Sequence, residues 1–249
     1  MSTIMRDINK YTHDYNESAF EHILVKYRRK KVLEIINKYK PKNILEVGCG
    51  SDSVFNYYKD YQSYTIVEPS KEFCKIAKAS RNYNEKITII NGFLEEEATK
   101  CTNQEYDFII VSCLLHEVLN PQLLLSTIKQ LSSSKTIIHI NVPNSMSLHL
   151  LWAYKAGLTP CIGIQTERAK KLQQNTVFDM NKLTDMTTQN GFNILEKGSY
   201  FIKPFDHTKM QKLVDNNYID ENLLNGLYDL IEYLPDFGAE IFVNCEVQK

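Results

Sequence analysis

The stretch Asn43-Ile44-Leu45-Glu46-Val47-Gly48-Cys49-Gly50-Ser51 decides how this chain is read. Ile44, Leu45 and Val47 give a short apolar run of the kind that forms a strand buried in a parallel sheet. Gly48 and Gly50 follow at once. A Gly-x-Gly turn closing a buried strand brings backbone N–H groups close to a ligand, with no Cβ in the way. Further on, a second apolar run, Tyr64-Thr65-Ile66-Val67, ends in Glu68-Pro69. Neighbouring strands that end in a glycine turn and a carboxylate are laid out to hold a nucleoside ribose between them.

A dinucleotide fingerprint needs Gly-x-Gly-x-x-Gly, whose third glycine allows close helix–strand packing. Ser53 stands at that place. Glu46 lies just ahead of the first glycine, where an acid would repel a pyrophosphate and would suit a cofactor with a cationic amino-acid end. Strand–Glu-x-Gly-x-Gly followed by strand–Glu resembles the class I S-adenosylmethionine-dependent methyltransferases. The resemblance implies an α/β, Rossmann-like fold. Its seven-stranded, mostly parallel sheet has an antiparallel last strand, helices on both faces, an N-terminal helical cap and a helical insertion before the last strand. It also implies S-adenosylmethionine as cofactor and S-adenosylhomocysteine as product. Glu46, Gly48, Cys49 and Gly50 would then surround the methionine part, while Glu68, followed by Pro69, takes the ribose hydroxyls. A plain buried strand with a glycine turn accounts for the first motif alone, not for the pair in register.

At 249 residues with a net charge of -1, one α/β domain is expected over 1–249. It divides into a cap (1–40), a cofactor-binding core (42–141) and substrate-side helices with C-terminal strands (142–249). The charge gives no general electrostatic case for nucleic acid. Cysteines 49, 74, 101, 113, 161 and 245 contain no Cys-x-x-Cys pair, so neither a disulfide framework nor a zinc set is expected. The N-terminus is polar and no apolar run approaches ~18 residues. These features predict a cytoplasmic protein with no membrane partner and no metal. A homodimer is the assembly to expect if there is one.

Residues 1 to about 15 read as a loosely folded arm, and Glu17 to Tyr39 as a helix that Lys40-Pro41-Lys42 ends. Within it, Lys26 to Lys31 is a charge run: a solvated face, or one from which Arg28 reaches an anionic substrate. In the resembled family such a helix covers the cofactor, which makes Tyr11, Tyr15 and Phe20 lid candidates. Asp52 to Tyr61 is expected to be a short helix, and Ser70 the N-cap of a helix over Lys71 to Ser80. A third strand, Lys86 to Ile90, runs into Asn91-Gly92-Phe93-Leu94. The family usually places an acid here on the adenine amino group. Phe93 replaces it, so backbone groups of Gly92, Phe93 and Leu94, or the Phe93 ring, would make that contact. Glu95-Glu96-Glu97 reads as a solvated helix start.

The fourth strand, Glu105 to Ser112, leads into Cys113-Leu114-Leu115-His116-Glu117-Val118-Leu119-Asn120-Pro121. This resembles the family's loop beneath the sulfonium, with Ser112 and Cys113 at its start. Counted back from Pro121, Glu117 takes the usual histidine position and His116 the one before. A His beside a Glu suits a general base with its partner; the plainer reading has His116 bonded to backbone. Both stay open, as does which of the two faces the acceptor.

After a helix over Gln122 to Leu131, a fifth strand (Lys135 to Asn141) holds His139, read as a core residue. Asn141-Val-Pro-Asn-Ser-Met-Ser-Leu-His149 follows. There Asn144 or Ser145 can cap a helix, and Asn141, Asn144 and His149 lie near the ligand-binding edge of the sheet. The Val-Pro-Asn-x-x-Ser-Leu-His pattern is similar to a subgroup found with sugar and cell-surface polysaccharide pathways. That subgroup places a Gly-His and a Tyr before the next helix. Gln174 to Asp179 lacks both, which implies another acceptor or another base. Residues 157–177 read as a substrate-side insertion, Asp179 to Gln189 as a helix closed by Gly191, and Phe192 to Ile202 as a strand. Two short helices over 208–234 and a last strand, Gly238 to Val247, complete the chain. The expected reaction moves a methyl group to a hydroxyl or amine of a small metabolite, such as a sugar or sugar nucleotide. A non-catalytic cofactor-binding module and an NAD-dependent oxidoreductase are the alternatives.

Overall fold

The structure, a computed structural model, describes residues 6–248. Two helices, α1 (Ile8–Asn16) and α2 (Glu21–Tyr39), precede β1 (Asn43–Val47) and β2 (Ser63–Glu68). Then come α3 (Lys71–Ala79), β3 (Ile87–Asn91), α4 (Leu94–Glu97), β4 (Phe108–Ser112), α5 (Pro121–Gln130) and β5 (Ile137–Pro143). The remainder is α6 (Leu148–Lys155), α7 (Glu167–Lys171), α8 (Met180–Gln189), β6 (Phe192–Tyr200), α9 (His207–Asp215), α10 (Glu221–Asp229) and β7 (Glu240–Val247).

The sheet runs β3-β2-β1-β4-β5-β7-β6. The first five strands pair in parallel, and β7 is antiparallel to both its neighbours. Strand order reverses between β1 and β4, and the crevice beyond their carboxyl ends is where open α/β sheets bind ligands. Side chains alternate across the strands. Ile44, Ile66, Phe108 and Ile110 pack with Ile23, Tyr27, Ile35 and Ile36 of α2 on one face. Leu45, Val47, Val67, Ile109 and Val111 pack with Leu124, Leu125 and Ile128 of α5 on the other. Each such buried side chain contributes about 1.5–3 kcal/mol, and together they fix the register that sets Val47 beside Val67.

Three local expectations are corrected. The arm is helical from Ile8: Asp7 caps α1 by accepting from the Lys10 N–H at 3.0 Å, and Thr12 docks it by donating to Ser70 Oγ at 3.0 Å. The arm's first five residues lie outside the described ones. Helix α2 starts at Glu21, not Glu17, because Phe20 takes a left-handed φ of 61°. Of the helix expected over Asp52 to Tyr61, only the 3-10 turn Val54–Asn56 forms. Ser53 is spent on Glu46, and Asp52 on Arg29, Asn56 and Tyr57, while Phe55, Tyr58 and Tyr61 turn into the core. Among the described residues no helix is long and apolar enough to cross a membrane, and no group of three or more His, Cys, Asp or Glu side chains could hold a metal ion.

Candidate active site

The glycine turn and the second acid are joined directly. Gly48 and Gly50 sit at φ of 76° and 56°, backbone that a β-carbon would strain. Gly50 N–H donates to Glu68 Oε2 at 3.2 Å, and Ser70 N–H to Glu68 Oε1 at 2.8 Å. Burial pushes the Glu68 carboxyl up to about 7. Glu46 lies under the turn, accepting from the Ser53 hydroxyl, from Val54 N–H at 3.2 Å and from Tyr64 Oη at 2.9 Å. Burial pushes it, too, up to about 7.

The loop after β4 is fastened from below. Cys113, at φ 54°, donates its N–H to the carbonyl of Asn141 at 3.0 Å and to its Oδ1 at 2.9 Å. Asn141 Nδ2 reaches Ser112 Oγ at 3.0 Å and His139 Nε2 at 2.9 Å. His139 Nδ1 meets Asn244 Oδ1 at 2.7 Å, and burial lowers the imidazole to about 4, which makes it a neutral core histidine.

His116 and Glu117 are both buried in the cavity wall. The His116 carbonyl accepts from the N–H groups of Asn175 (2.8 Å) and Thr176 (3.0 Å), so the loop is tied to the segment before α8. Its Nδ1 has no hydrogen-bond partner among the described residues, and its Nε2 stands 3.7 Å from Glu117 Oε1. Burial, reinforced by Arg28, Arg6 and Arg168, holds this imidazole well below its ordinary range. Glu117 accepts from Arg6 Nη2 at 2.5 Å and from Tyr11 Oη at 3.2 Å. Burial raises its carboxyl and Arg6 pulls the other way.

A second network lies on the α2 side. Arg28 is not on a solvated face: it is buried, with Nε 3.1 and 3.0 Å from the two oxygens of Glu240, and it also donates to Glu21 at 3.3 Å. Glu21 accepts in turn from Arg168 Nη2 at 2.6 Å, and Tyr200 donates to Glu240. Next to this network, Lys203 Nζ is 3.1 Å from His207 Nδ1, and His149 Nδ1 is 3.0 Å from Ser147 Oγ.

One cavity of about 420 Å³ brings these groups together. Of the residues singled out in the sequence, its wall contains Glu46, Gly48, Cys49, Gly50, Glu68 and Pro69, then Ser112, Cys113, His116 and Glu117, and also Tyr15, Arg28, Asn144 and His149. Asn144 has its side chain committed to the carbonyls of Asp236 (3.1 Å) and Gly238 (2.9 Å) and to Met146 N–H (2.9 Å), and Ser147 takes the N-cap position of α6 without a side-chain capping bond. Gly92, Phe93, Leu94 and Asn141 lie outside the cavity wall: Gly92 N–H bonds to the Glu68 carbonyl at 3.1 Å, Phe93 precedes α4, Leu94 is in the core, and Asn141 anchors the loop. Sequence reasoning missed Arg6, Glu21, Arg168, Lys203, His207 and Glu240. The one signal for them was an acid, Glu240, directly ahead of the apolar run Ile241-Phe242-Val243.

The model of one sequence family, described as a methyltransferase domain, matches residues 20–197. No curated protein matches the chain. Among solved structures it is similar to the N-methyltransferase NodS from Bradyrhizobium japonicum in complex with S-adenosyl-L-homocysteine, at 9% identity and a TM-score of 0.56, covering 94% of this chain and 90% of that one. It is also similar to the plantazolicin methyltransferase BamL, solved with a triazolic desmethylPZN analog and S-adenosylhomocysteine, at 16% identity and a TM-score of 0.56, covering 97% of each chain. A third is a SAM-dependent methyltransferase from Thermotoga maritima described as a possible histamine N-methyltransferase, at 13% identity and a TM-score of 0.59, covering 96% of this chain and 98% of that one. At such identities the likeness is one of fold.

Proposed function

Because this chain belongs to the methyltransferase-domain family, we propose that it moves a methyl group from S-adenosylmethionine to a hydroxyl or amine of a small metabolite. The observation that carries this reading is the bond between Gly50 and Glu68, which welds the glycine turn and the second acid into one wall of the cavity. The residues fit the cofactor. A Cβ at Gly50 would come no nearer than 4.0 Å to any atom outside the turn, that atom being Tyr15 Oη, so the space above the turn is open. Glu68, though bonded to two amides, keeps lone pairs for ribose hydroxyls. Glu46 supports the turn from beneath, and a cationic amino-acid end nearby would favour its ionised form.

The sulfonium supplies a methyl group already activated for transfer. The protein's part is alignment, which can provide roughly 7–11 kcal/mol. Removal of the acceptor's proton falls to His116, which lines the cavity, has an Nδ1 without a partner among the described residues, and has a ring held neutral. Such a base contributes about 10²–10⁴-fold. Glu117 is engaged by Arg6 and Tyr11 and orients the cap instead. A small hydroxylated or sugar-derived acceptor suits a cavity of about 420 Å³ that α1, α6 and α7 help enclose. An amine stays within the reading because NodS is described as an N-methyltransferase and the Thermotoga maritima protein as a possible histamine N-methyltransferase. The described residues then form one methyltransferase domain with α1 and α2 as its cap.

The test is calorimetric titration with S-adenosylmethionine, S-adenosylhomocysteine and NAD, repeated on Glu68→Ala. Binding of the first two, weakened by the substitution, supports the reading. Preference for NAD, or no binding of the three, overturns it.

A further inference from the structure

Lys203 follows β6 and is only 1% exposed, yet among the described residues no carboxylate lies within salt-bridge distance of it. Its Nζ has one hydrogen-bond neighbour, His207 Nδ1 at 3.1 Å. When Lys203 is charged its ammonium can only donate, so Nδ1 accepts and the imidazole proton sits on Nε2. That Nε2 is buried and has no hydrogen-bond partner among the described residues. His149 lines the same cavity. The acids nearby are already committed: Glu240 to Arg28 and Tyr200, Glu21 to Arg28 and Arg168, and Asp206 to the α9 N-terminus through Lys209 N–H at 2.9 Å. Donors without acceptors therefore converge on the cavity. A buried cation and a buried N–H left unpaired both cost stability, which an entering oxyanion would return.

We propose that Lys203 and His207, with His149 beside them, form a subsite for an anionic group, a carboxylate or a phosphate, carried by the methyl acceptor. This deepens the methyl-transfer reading and rests on it. Burial, with Arg168 next, lowers Lys203 to about 7, while Glu21, Glu240 and Asp206 oppose that shift. Burial also depresses both histidines, each of them further lowered by Lys203. An oxyanion seated on the cluster would raise all three groups and draw in protons.

The probes are inorganic phosphate, glucose 6-phosphate, glucuronate and, as the neutral control, glucose. Each is titrated into the full chain with and without S-adenosylhomocysteine, at constant ionic strength and in two buffers of different ionisation enthalpy. Anionic probes should raise Tm and bind with proton uptake, and glucose should not. A response to the two phosphates or to glucuronate tells which oxyanion the subsite takes. Lys203→Met and His207→Asn should weaken anion binding by at least about tenfold, with S-adenosylhomocysteine affinity unchanged. Lys203→Met should also raise Tm in the absence of anion; Lys203→Gln serves if the Met variant does not fold. Glucose binding as well as its 6-phosphate and glucuronate, or anion binding that survives at Lys203 variants, overturns the subsite. Failure of S-adenosylhomocysteine to bind, with anion binding intact, overturns the methyl-transfer reading and leaves the oxyanion site standing.

Discussion

Arg6 and Glu117 are 111 positions apart in the chain and meet at 2.5 Å over the cavity, both side chains less than a tenth exposed. Tyr11 adds a hydroxyl to the same carboxylate, and the Arg6 guanidinium lies 3.8 Å from its ring centre. The segment leading into α1 is thus fastened to the loop after β4 at a single carboxylate, which Arg6 and Tyr11 share.

Arg6→Gln should loosen that attachment without unfolding the sheet, because α1 adds only partly buried Tyr11 and Tyr15 to the core. The expected result is S-adenosylhomocysteine dissociation about tenfold faster with little change in association. Stopped-flow displacement measures it, and unchanged dissociation would remove Arg6 from the cap's closure.

With a hydroxyl acceptor, His116→Ala should lower kcat by about 10²–10⁴-fold while leaving cofactor affinity intact. Glu117→Gln should cost less and act through the cap. Full turnover in both variants, cofactor bound, would exclude a base on this loop.

Glu46 sits at about 7, against an ordinary carboxyl value of 4.5. The folded protein therefore holds that proton more tightly than the unfolded chain. Stability is greatest below the unfolded value, falls as pH rises from 4.5, and the full penalty is present above about 7. Such a shift corresponds to a loss on the order of 3 kcal/mol. Urea midpoints measured from pH 5 to 8 should decline more steeply in the wild type than in Glu46→Gln.

Arg28→Met would leave Glu240 and Glu21 buried with part of their counter-charge gone, and breaking such a pair costs about 3–5 kcal/mol. Arg28→Lys should rescue little, since an ammonium cannot reproduce the two-oxygen contact with Glu240. Equilibrium unfolding decides this; a mild loss in Arg28→Met would return Arg28 to the list of groups free to meet a substrate.

The frame of the fold was readable because its determinants are local. Apolar runs close in Gly48-Cys49-Gly50 and in Glu68, and the order of the elements followed. Side chains whose role depends on distant partners were not readable. Arg28 sits in a run of basic residues that looks solvated, and only the approach of β7 brings Glu240 to it. Lys203 and His207 obey no motif spacing; the connection from β6 to α9 places them. The turn after β1 failed as a helix for a related reason: Ser53 and Asp52 gave their side chains to Glu46 and Arg29, a tertiary demand that local propensity does not register.

Strand β7 is synthesised after the other six, yet it lies inside the sheet between β5 and β6. Until it emerges from the ribosome, β5 presents an open edge and β6 has no neighbour, while Arg28 and Tyr200 lack the acid they both bind. A chain that lacks β7 would thus be sticky at its edges and unable to close the cavity. Pairing of β7 and assembly of the site are therefore one event, because the strand that fills the gap in the sheet also carries the acid that Arg28 and Tyr200 share.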